Sequence, residues 1–489
     1  MSLLDELINE QKKKLALLRD EGINPYPSEI NINIVSSAAI DSFEELSKTQ
    51  KRIVMGGRVM ALREQGAIIF FTFRDGDGNF QGMLRQDEIG KDALKFFLDI
   101  VGIGDFIEID GTLVKTKRGE KTISVNQWRM LAKSLRPLPD KWHGLKDVEE
   151  RFRRRYLDIL MSDETRVRFK KRALILSSLR RFFEDNDFIE VETPVLQHLA
   201  GGALARPFET NYNALDIKMF LRIAPELYLK ELLVGGMTKV FEIGRNFRNE
   251  GIDVTHNPEF TMLEWYEAYS DAKKQCVFVE ELIRFISKKI HKEGIFSYNK
   301  EEIDVNKKFE IISFYAAFEQ YAGIKTPAIL NRDEYAREAV RLNIEVSNTE
   351  NREKIMDAIY KKVIKPKIIQ PTFIIDYPVE FSPFAKRQEN NPDLIDRFQL
   401  VIGGLEIVNA FSELNDPEEQ RARYLEQDKK KKDGDIEIAP FDESYIEAME
   451  YGMPPAGGVG LGVDRLVMFL TDAHNIREVI LFPTLREKE

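Results

Sequence analysis

Apolar and polar positions repeat with two different periods along this chain, and the change from one to the other divides it. Residues about 2–21 carry apolar side chains at helical spacing, with Gly22 as a stop and Pro25 and Pro27 beyond, which predicts an amphipathic helix. From about 51 to 133 the texture becomes short period-two runs, at 52–60, 67–74, 79–84, 106–115 and 122–131. Turn signals separate them, notably Asp75-Gly76-Asp77-Gly78 and Lys117-Arg118-Gly119-Glu120. Five short strands in so small a span suit a closed barrel of the OB type. Leu135-Arg136-Pro137-Leu138-Pro139 then reads as a stiff linker. The expected organisation is α+β: an N-terminal helical extension (1–50), a five-stranded OB-fold barrel (51–135), a linker (136–150) and a larger domain (151–489).

In that larger domain, residues about 163–185 predict a long helix, and Phe188–Pro194 a strand closed by proline. Residues about 270–375 read as a helix-rich, polar insertion without a legible motif, and Asp428–Asp435 as a charged loop. The chemically dense segment is Val240–Gly251, followed by the loop His256-Asn257-Pro258-Glu259 and the run Phe260–Tyr266. Period two puts Glu242, Gly244, Asn246, Arg248 and Glu250 on one strand face, and Phe260, Met262, Glu264 and Tyr266 on one face of the next strand. Charges on a sheet face are costly to bury unless they are paired or bind something. A solvated antiparallel face is the plain alternative, but Arg, Asn, Glu and His at this density beside aromatics point to a site.

Two further segments add to it. Gly403-Gly404 predicts a two-residue hairpin between Arg397–Ile402 and Leu405–Phe411. Pairing Ile402 with Leu405 then pairs Val401 with Glu406 and Gln399 with Val408. Gln399 and Glu406 become diagonal neighbours, roughly 7–8 Å apart at Cα, close enough to share an ion. Asn409, Phe411 and Glu413 then fall on the opposite parity from Glu406, so a bulge or strand end is needed if all of them serve one site. Gly457–Gly462, with glycine at 457, 458, 460 and 462, predicts a strand that a ligand or neighbouring backbone can approach closely. Asp464 starts the helix that follows, and Arg465 in its first turn opposes the helix dipole, which suits an external anion.

Composition narrows the classes. The chain has 489 residues, 43% hydrophobic, enough for two or three domains with sizeable cores. A net charge of −10 gives nucleic acid no global attraction, so any such contact must be local. The basic stretch of Arg151, Arg153, Arg154, Arg155, Arg166, Arg168, Lys170, Lys171 and Arg172 is a candidate phosphate footprint or a helix face paired with Asp158, Asp163 and Glu164. One cysteine, Cys276, and five histidines argue against a disulfide framework or structural zinc. Neither a signal peptide nor a membrane span is legible, which suggests a cytoplasmic location.

Taken together, these blocks resemble motifs 1, 2 and 3 of the class II aminoacyl-tRNA synthetases. Motif 1 is the run ending at Pro194, motif 2 the strand pair from Val240 to Tyr266, and motif 3 the glycine block ending in Arg465. Gly201–Phe208, Arg222–Leu227, Phe247–Gly251 and Asn409–Asp416 are similar to the lysyl branch, and the likeness extends over essentially the full length. The resemblance implies formation of lysyl-adenylate from lysine and ATP with magnesium, then transfer to the 3′-terminal ribose of lysine tRNA, in a homodimer. It implies that Arg248 and Arg465 are catalytic, and that Arg248, Glu250, His256, Asn257, Phe260, Glu406 and Arg465 bind ATP. Phe260 and Arg465 would sandwich the adenine. Lysine would meet Gly202, Glu226, Arg248, Glu264, Tyr266, Asn409, Phe411 and Glu413. On the barrel, Phe70, Gln81 and Glu120 would read the anticodon. One departure stands out: the family usually carries a glutamate where this chain has Gln399, which with Glu406 would hold magnesium. That loss of charge predicts a weaker metal site. Two alternatives stay open, a regulatory RNA-binding paralogue with an impaired metal site and an enzyme that lysylates another acceptor.

Overall fold

The computed structural model describes residues 2–139, 145, 147–203, 205–347, 349–432 and 441–487, in two compact units, 1–146 and 147–489. Residues 140–144 and 146 of the expected linker lie outside the described residues, as do Leu204 and 433–435 of the expected charged loop.

In the first unit, Ser2 caps the helix Leu3–Asp20 by accepting from the Asp5 N–H, and Asp5 reciprocates. Five strands, Ile53–Gln65, Ile68–Arg74, Asn79–Arg85, Phe106–Lys115 and Lys121–Ala132, close into a barrel. Closure comes from the first strand pairing antiparallel with both the second and the fourth. Period two decides each side chain's fate. Ile69, Phe71 and Phe73 point inward and are buried, while Phe70 and Thr72 face outward. The helix Lys91–Ile100 closes the core with Leu94, Phe97 and Ile100, and Phe97 meets Trp128 edge-on at 5.0 Å.

The second unit is built on a nine-stranded, mostly antiparallel sheet. Its centre runs Asn391–Ile402, Leu405–Ser412, Ala456–Gly462, Glu259–Ala268 and Lys239–Phe247, each antiparallel to the next. The strand in the Phe188–Pro194 run is short, Ile189–Glu190, and pairs in parallel with Lys239–Phe247 at one edge. One sheet face, carrying Phe241, Leu263, Trp265, Leu400, Ala410 and Leu461, packs on the helices Asp163–Asp185 and Ala272–Ile290. Phe183 lies 4.8 Å from Phe241 and 5.0 Å from Trp265; each such pair contributes about 0.5–1.5 kcal/mol beyond its buried area. That packing leaves the other face for chemistry.

The structure corrects one expectation and refines two. Residues 270–375 are helix-rich as expected and also carry strands, since Glu310–Ser313 and Thr372–Pro378 pair in parallel in the main sheet. A four-residue strand is too short to announce itself by period two. The helix Pro417–Lys432 continues through 428–432, so a run of lysines there ends a helix rather than forming a loop. Of the two readings of the basic stretch, pairing of its arginines with Asp158, Asp163 and Glu164 is the one the fold shows. Arg151 and Arg155 both grip Asp158, Arg168 reaches Glu164 and Glu478, and Arg172 holds the buried Asp464, whose other oxygen accepts from the Thr261 N–H.

Candidate active site

The expected strand pair forms with Glu242 opposite Glu264, Gly244 opposite Met262 and Asn246 opposite Phe260, so the two polar faces become one. Arg222 and Thr193 neutralise and hydrogen-bond Glu242, which ties the proline-closed segment to the sheet. The glycine strand lies beside them, and a Cβ at Gly458 would overlap Glu413 Oε1 and the Tyr266 ring. Glycine there makes room for those two side chains.

The hairpin turns at Gly403-Gly404, with Ile402 opposite Leu405 and Val401 opposite Glu406. A bulge follows, so Leu400 rather than Gln399 faces Val408, and Gln399 faces Asn409. Ile407 and Val408 both enter the helix-side core. That extra residue restores parity, and Glu406, Asn409 and Phe411 share the site face.

A cavity of about 220 Å³ opens on this face, lined in part by Gly202, Glu226, Arg248, Glu264, Tyr266, Asn409 and Phe411. Glu413 is buried against it. Gly202 has φ +84°, and a Cβ there would sit 2.9 Å from that of Glu226, so glycine is required at this wall. The Tyr266 hydroxyl donates to Glu264 at 3.2 Å, and Arg397 fixes Asn409 with a 2.9 Å bond to its amide oxygen. Lys230, unforeseen in the sequence, is fully buried, 2.6 Å from Glu226 and 2.5 Å from Glu413. Its signal was the Glu226–Lys230 spacing of four residues on one helix.

Two carboxylates thus pair with one internal ammonium, and Glu264 lines the same cavity as Glu226. Burial, with Glu226 nearby, pushes the Glu264 carboxyl up to about 8, against the pull of Arg248. Burial also lifts Glu413 to about 8, although Lys230 opposes it. Burial alone would lower the Lys230 pKa, yet Glu226 and Glu413 raise it well above the ordinary lysine value. Carboxylates outnumber ammonium groups here, so a further cation would be stabilised among them.

At the end of the cavity Arg248 lies 5.1 Å over the Phe260 ring, and burial lowers its pKa. Its buried Nε has no hydrogen-bond partner, and neither has the buried Asn257 Oδ1. Glu250 is exposed nearby in sequence. His256 takes Asp253 on Nδ1 at 2.8 Å, and its Nε2 lies 2.9 Å from the Arg465 guanidinium, which also donates to the Glu406 carbonyl at 3.2 Å. Glu406 loses solvent on burial, but Lys365 and Arg465 outweigh that and hold its carboxyl down to about 2. Lys365 Nζ is 3.0 Å from Glu406 Oε2. The buried Gln399 amide oxygen accepts from Tyr377 at 2.9 Å and Tyr360 at 3.0 Å. Gln399 therefore brings neither charge nor a free oxygen, and these donors do not fit a two-carboxylate magnesium site. Lys365 and Tyr360 lie in the region without a legible motif, and Tyr377 lies just beyond it.

In the barrel, Phe70 and Gln81 lie on one outer face, on strands paired as Thr72 with Gln81 and Phe70 with Met83. Gln81 donates to Thr122 at 2.8 Å, and Glu120 is exposed in the loop before the last strand.

Comparison with known proteins agrees with this architecture. The family model for tRNA synthetases class II (D, K and N) matches residues 147–486, and that for the OB-fold nucleic acid binding domain matches 53–131. A lysine–tRNA ligase of Carboxydothermus hydrogenoformans is 46% identical over 99% of both chains. One from Pelotomaculum thermopropionicum is 45% identical over 99% of this chain and 96% of its own. A third, from Moorella thermoacetica, is 43% identical over 99% of both. The chain belongs to the class II tRNA synthetases of the D, K and N group.

Proposed function

We propose that the protein activates L-lysine with ATP and charges lysine tRNA. The observation that carries this is the cavity where buried Glu264 stands near Glu226 and Glu413, which share a single internal ammonium, beside an arginine with an unpartnered donor. A lysine side chain brings the missing charge, and uncharged analogues would leave carboxylates unpaired. Glu264, Tyr266 and Glu413 take the ε-ammonium, with Asn409 and Phe411 lining its path, and Gly202 and Glu226 take the α-amino group.

Arg248 binds the lysine carboxylate and the α-phosphate, a bidentate task suited to a planar guanidinium. A lysine carboxylate oxygen attacks the α-phosphorus, the bond to the bridging oxygen breaks, and pyrophosphate leaves. Phe260 and Arg465 hold the adenine from its two sides, while Glu250, His256 and Asn257 contact the nucleotide. The terminal ribose hydroxyl of tRNA then attacks the adenylate carbonyl and AMP leaves. No protein nucleophile is needed, so catalysis is positioning with electrostatic stabilisation. Magnesium enters as the counter-ion of the nucleotide and is part of that substrate.

Phe70, Gln81 and Glu120 read the anticodon by stacking and edge hydrogen bonds. A homodimer through the motif 1 region is supported by the apolar side chains that Val167, Leu174, Ile189, Val195 and Leu196 leave exposed; light scattering should give twice the chain mass. The location is the cytoplasm, consistent with the absence, among the described residues, of any helix long and apolar enough to cross a membrane.

The deciding experiment is ATP–pyrophosphate exchange with each amino acid in turn, followed by charging of lysine tRNA. Lysine alone should support exchange. Absence of lysine-dependent exchange would overturn the assignment in favour of a regulatory paralogue, and exchange without tRNA charging would favour another acceptor.

A further inference from the structure

Glu406 is held by an ammonium group of the protein itself. Lys365 Nζ lies 3.0 Å from Glu406 Oε2, and only 14% of the lysine side chain is exposed. This lysine is built into place. Tyr360–Ile364 form a π-helical turn, closed by the Lys365 N–H reaching back to the Tyr360 carbonyl. Such a turn puts residues five apart on one side, and π-turns concentrate at functional sites. The Lys365 ammonium accordingly sits 5.7 Å over the Tyr360 ring, whose hydroxyl holds Gln399. The strap is pinned to the hairpin turn, since the Gly403 and Gly404 N–H groups donate to the Ile369 and Ile368 carbonyls at 2.9 Å each. Across the hairpin, Arg465 bonds both the Glu406 carbonyl and His256. Lys365 and the neutral Gln399 therefore act in the same direction on the charge at one place. The first supplies a cation, and the second lacks the carboxylate that would attract one.

We propose that the Lys365 ammonium takes the position beside Glu406 that a protein-bound divalent ion would need, and that Lys365 is a fixed phosphate-binding cation of the ATP site. The chain then holds its nucleotide with fewer protein-bound divalent ions. A divalent ion approaching Glu406 meets a like charge already on its carboxylate, and the amide of Gln399 faces two tyrosine hydroxyls. Lysine binds phosphate as a point charge and needs no fork geometry, so a short strap suffices to deliver it. This inference rests on the nucleotide-site reading above.

The test uses the full chain and Mn²⁺ as the probe, with free Mn²⁺ counted by electron paramagnetic resonance. It compares the wild type, Lys365→Ala, and the double variant Lys365→Glu/Gln399→Glu. Without nucleotide, the double variant should bind Mn²⁺ at least about tenfold more tightly than the wild type, one factor of ten being the effect of about 1.4 kcal/mol. Lys365→Ala should weaken binding of a non-hydrolysable ATP analogue by a similar factor, and should leave the lysine-induced rise in melting temperature unchanged. Equal Mn²⁺ affinity in the wild type and the double variant would overturn the proposal. So would unchanged analogue affinity in Lys365→Ala, a measurement that stands even if the double variant does not fold. Failure of the wild type to bind the analogue at all would overturn the nucleotide site itself, and this proposal with it.

Discussion

Glu264 and Glu413 are acids only as strong as their surroundings allow, and that makes lysine recognition dependent on pH. Both carboxyls sit at about 8 against an ordinary 4.5, because burial and neighbouring carboxylates outweigh the cations present. Between those values the lysine-free protein holds more protons than the unfolded chain, so these groups subtract stability as pH rises from 4.5 to about 8. A bound ε-ammonium favours the ionised carboxylates and expels those protons. Lysine affinity should therefore rise with pH up to about 8 and level off above it, and calorimetry in buffers of different ionisation enthalpy should show proton release at pH 7. Affinity independent of pH would place the ammonium elsewhere. For the same reason, Glu264→Gln or Glu413→Gln should raise KM for lysine by roughly 10- to 150-fold, the value of a lost hydrogen bond to charge at about 1.5–3 kcal/mol, and that for ATP far less. Equal rises in both would sink the pocket assignment. Strand parity made Glu264 and Tyr266 legible as a pair. Lys230 was not legible as their neighbour, since a lysine on the helix Glu226–Val234 reads like any solvated lysine until the fold packs that helix under the sheet.

At the scale of elements, alternation fixed faces well and left registers open. The strands leading to Arg248 contain no bulge, so the faces read by parity hold along their length and meet, Glu242 opposite Glu264 and Asn246 opposite Phe260. The hairpin of Gln399 and Glu406 starts from a legible turn and slips one residue later, at the bulge near Leu400 and Val401. Ile407 and Val408 are both apolar and both core-facing, a doublet that marks the slip only once the site demands one face for Glu406 and Asn409. The strap bearing Lys365 stayed illegible because a single π-turn has no period to detect. The glycine strand carries a prediction of its own. Gly458→Ala would put a methyl group where Glu413 and Tyr266 now lie. Overpacking of this kind costs about 1–3 kcal/mol, so the melting temperature should drop and KM for lysine should rise. A variant with unchanged lysine kinetics would show that Glu413 and Tyr266 do not set the pocket.

At the scale of the whole molecule, the two reaction steps make different demands on the two compact units. Pyrophosphate exchange needs only lysine, ATP and the site on the nine-stranded sheet, whereas charging also needs tRNA to be recognised. Phe70 separates these demands. It stands outward on the barrel strand Ile68–Arg74, while Ile69 and Phe71 on either side, and Phe73 beyond, fill the core. An outward aromatic on a barrel strand beside Gln81 has no packing duty to explain it, and base stacking on such a ring is worth about 1–3 kcal/mol. Phe70→Ala should therefore lower kcat/KM for lysine tRNA by roughly 5- to 150-fold on that scale. It should leave lysine-dependent exchange and the melting temperature close to wild type. Phe71→Ala, which empties a buried position, should instead destabilise the barrel by about 3–5 kcal/mol. If Phe70→Ala impaired exchange as much as charging, or melted the barrel as Phe71→Ala should, the outer face around Phe70 and Gln81 would be structural, and the anticodon would have to be read elsewhere.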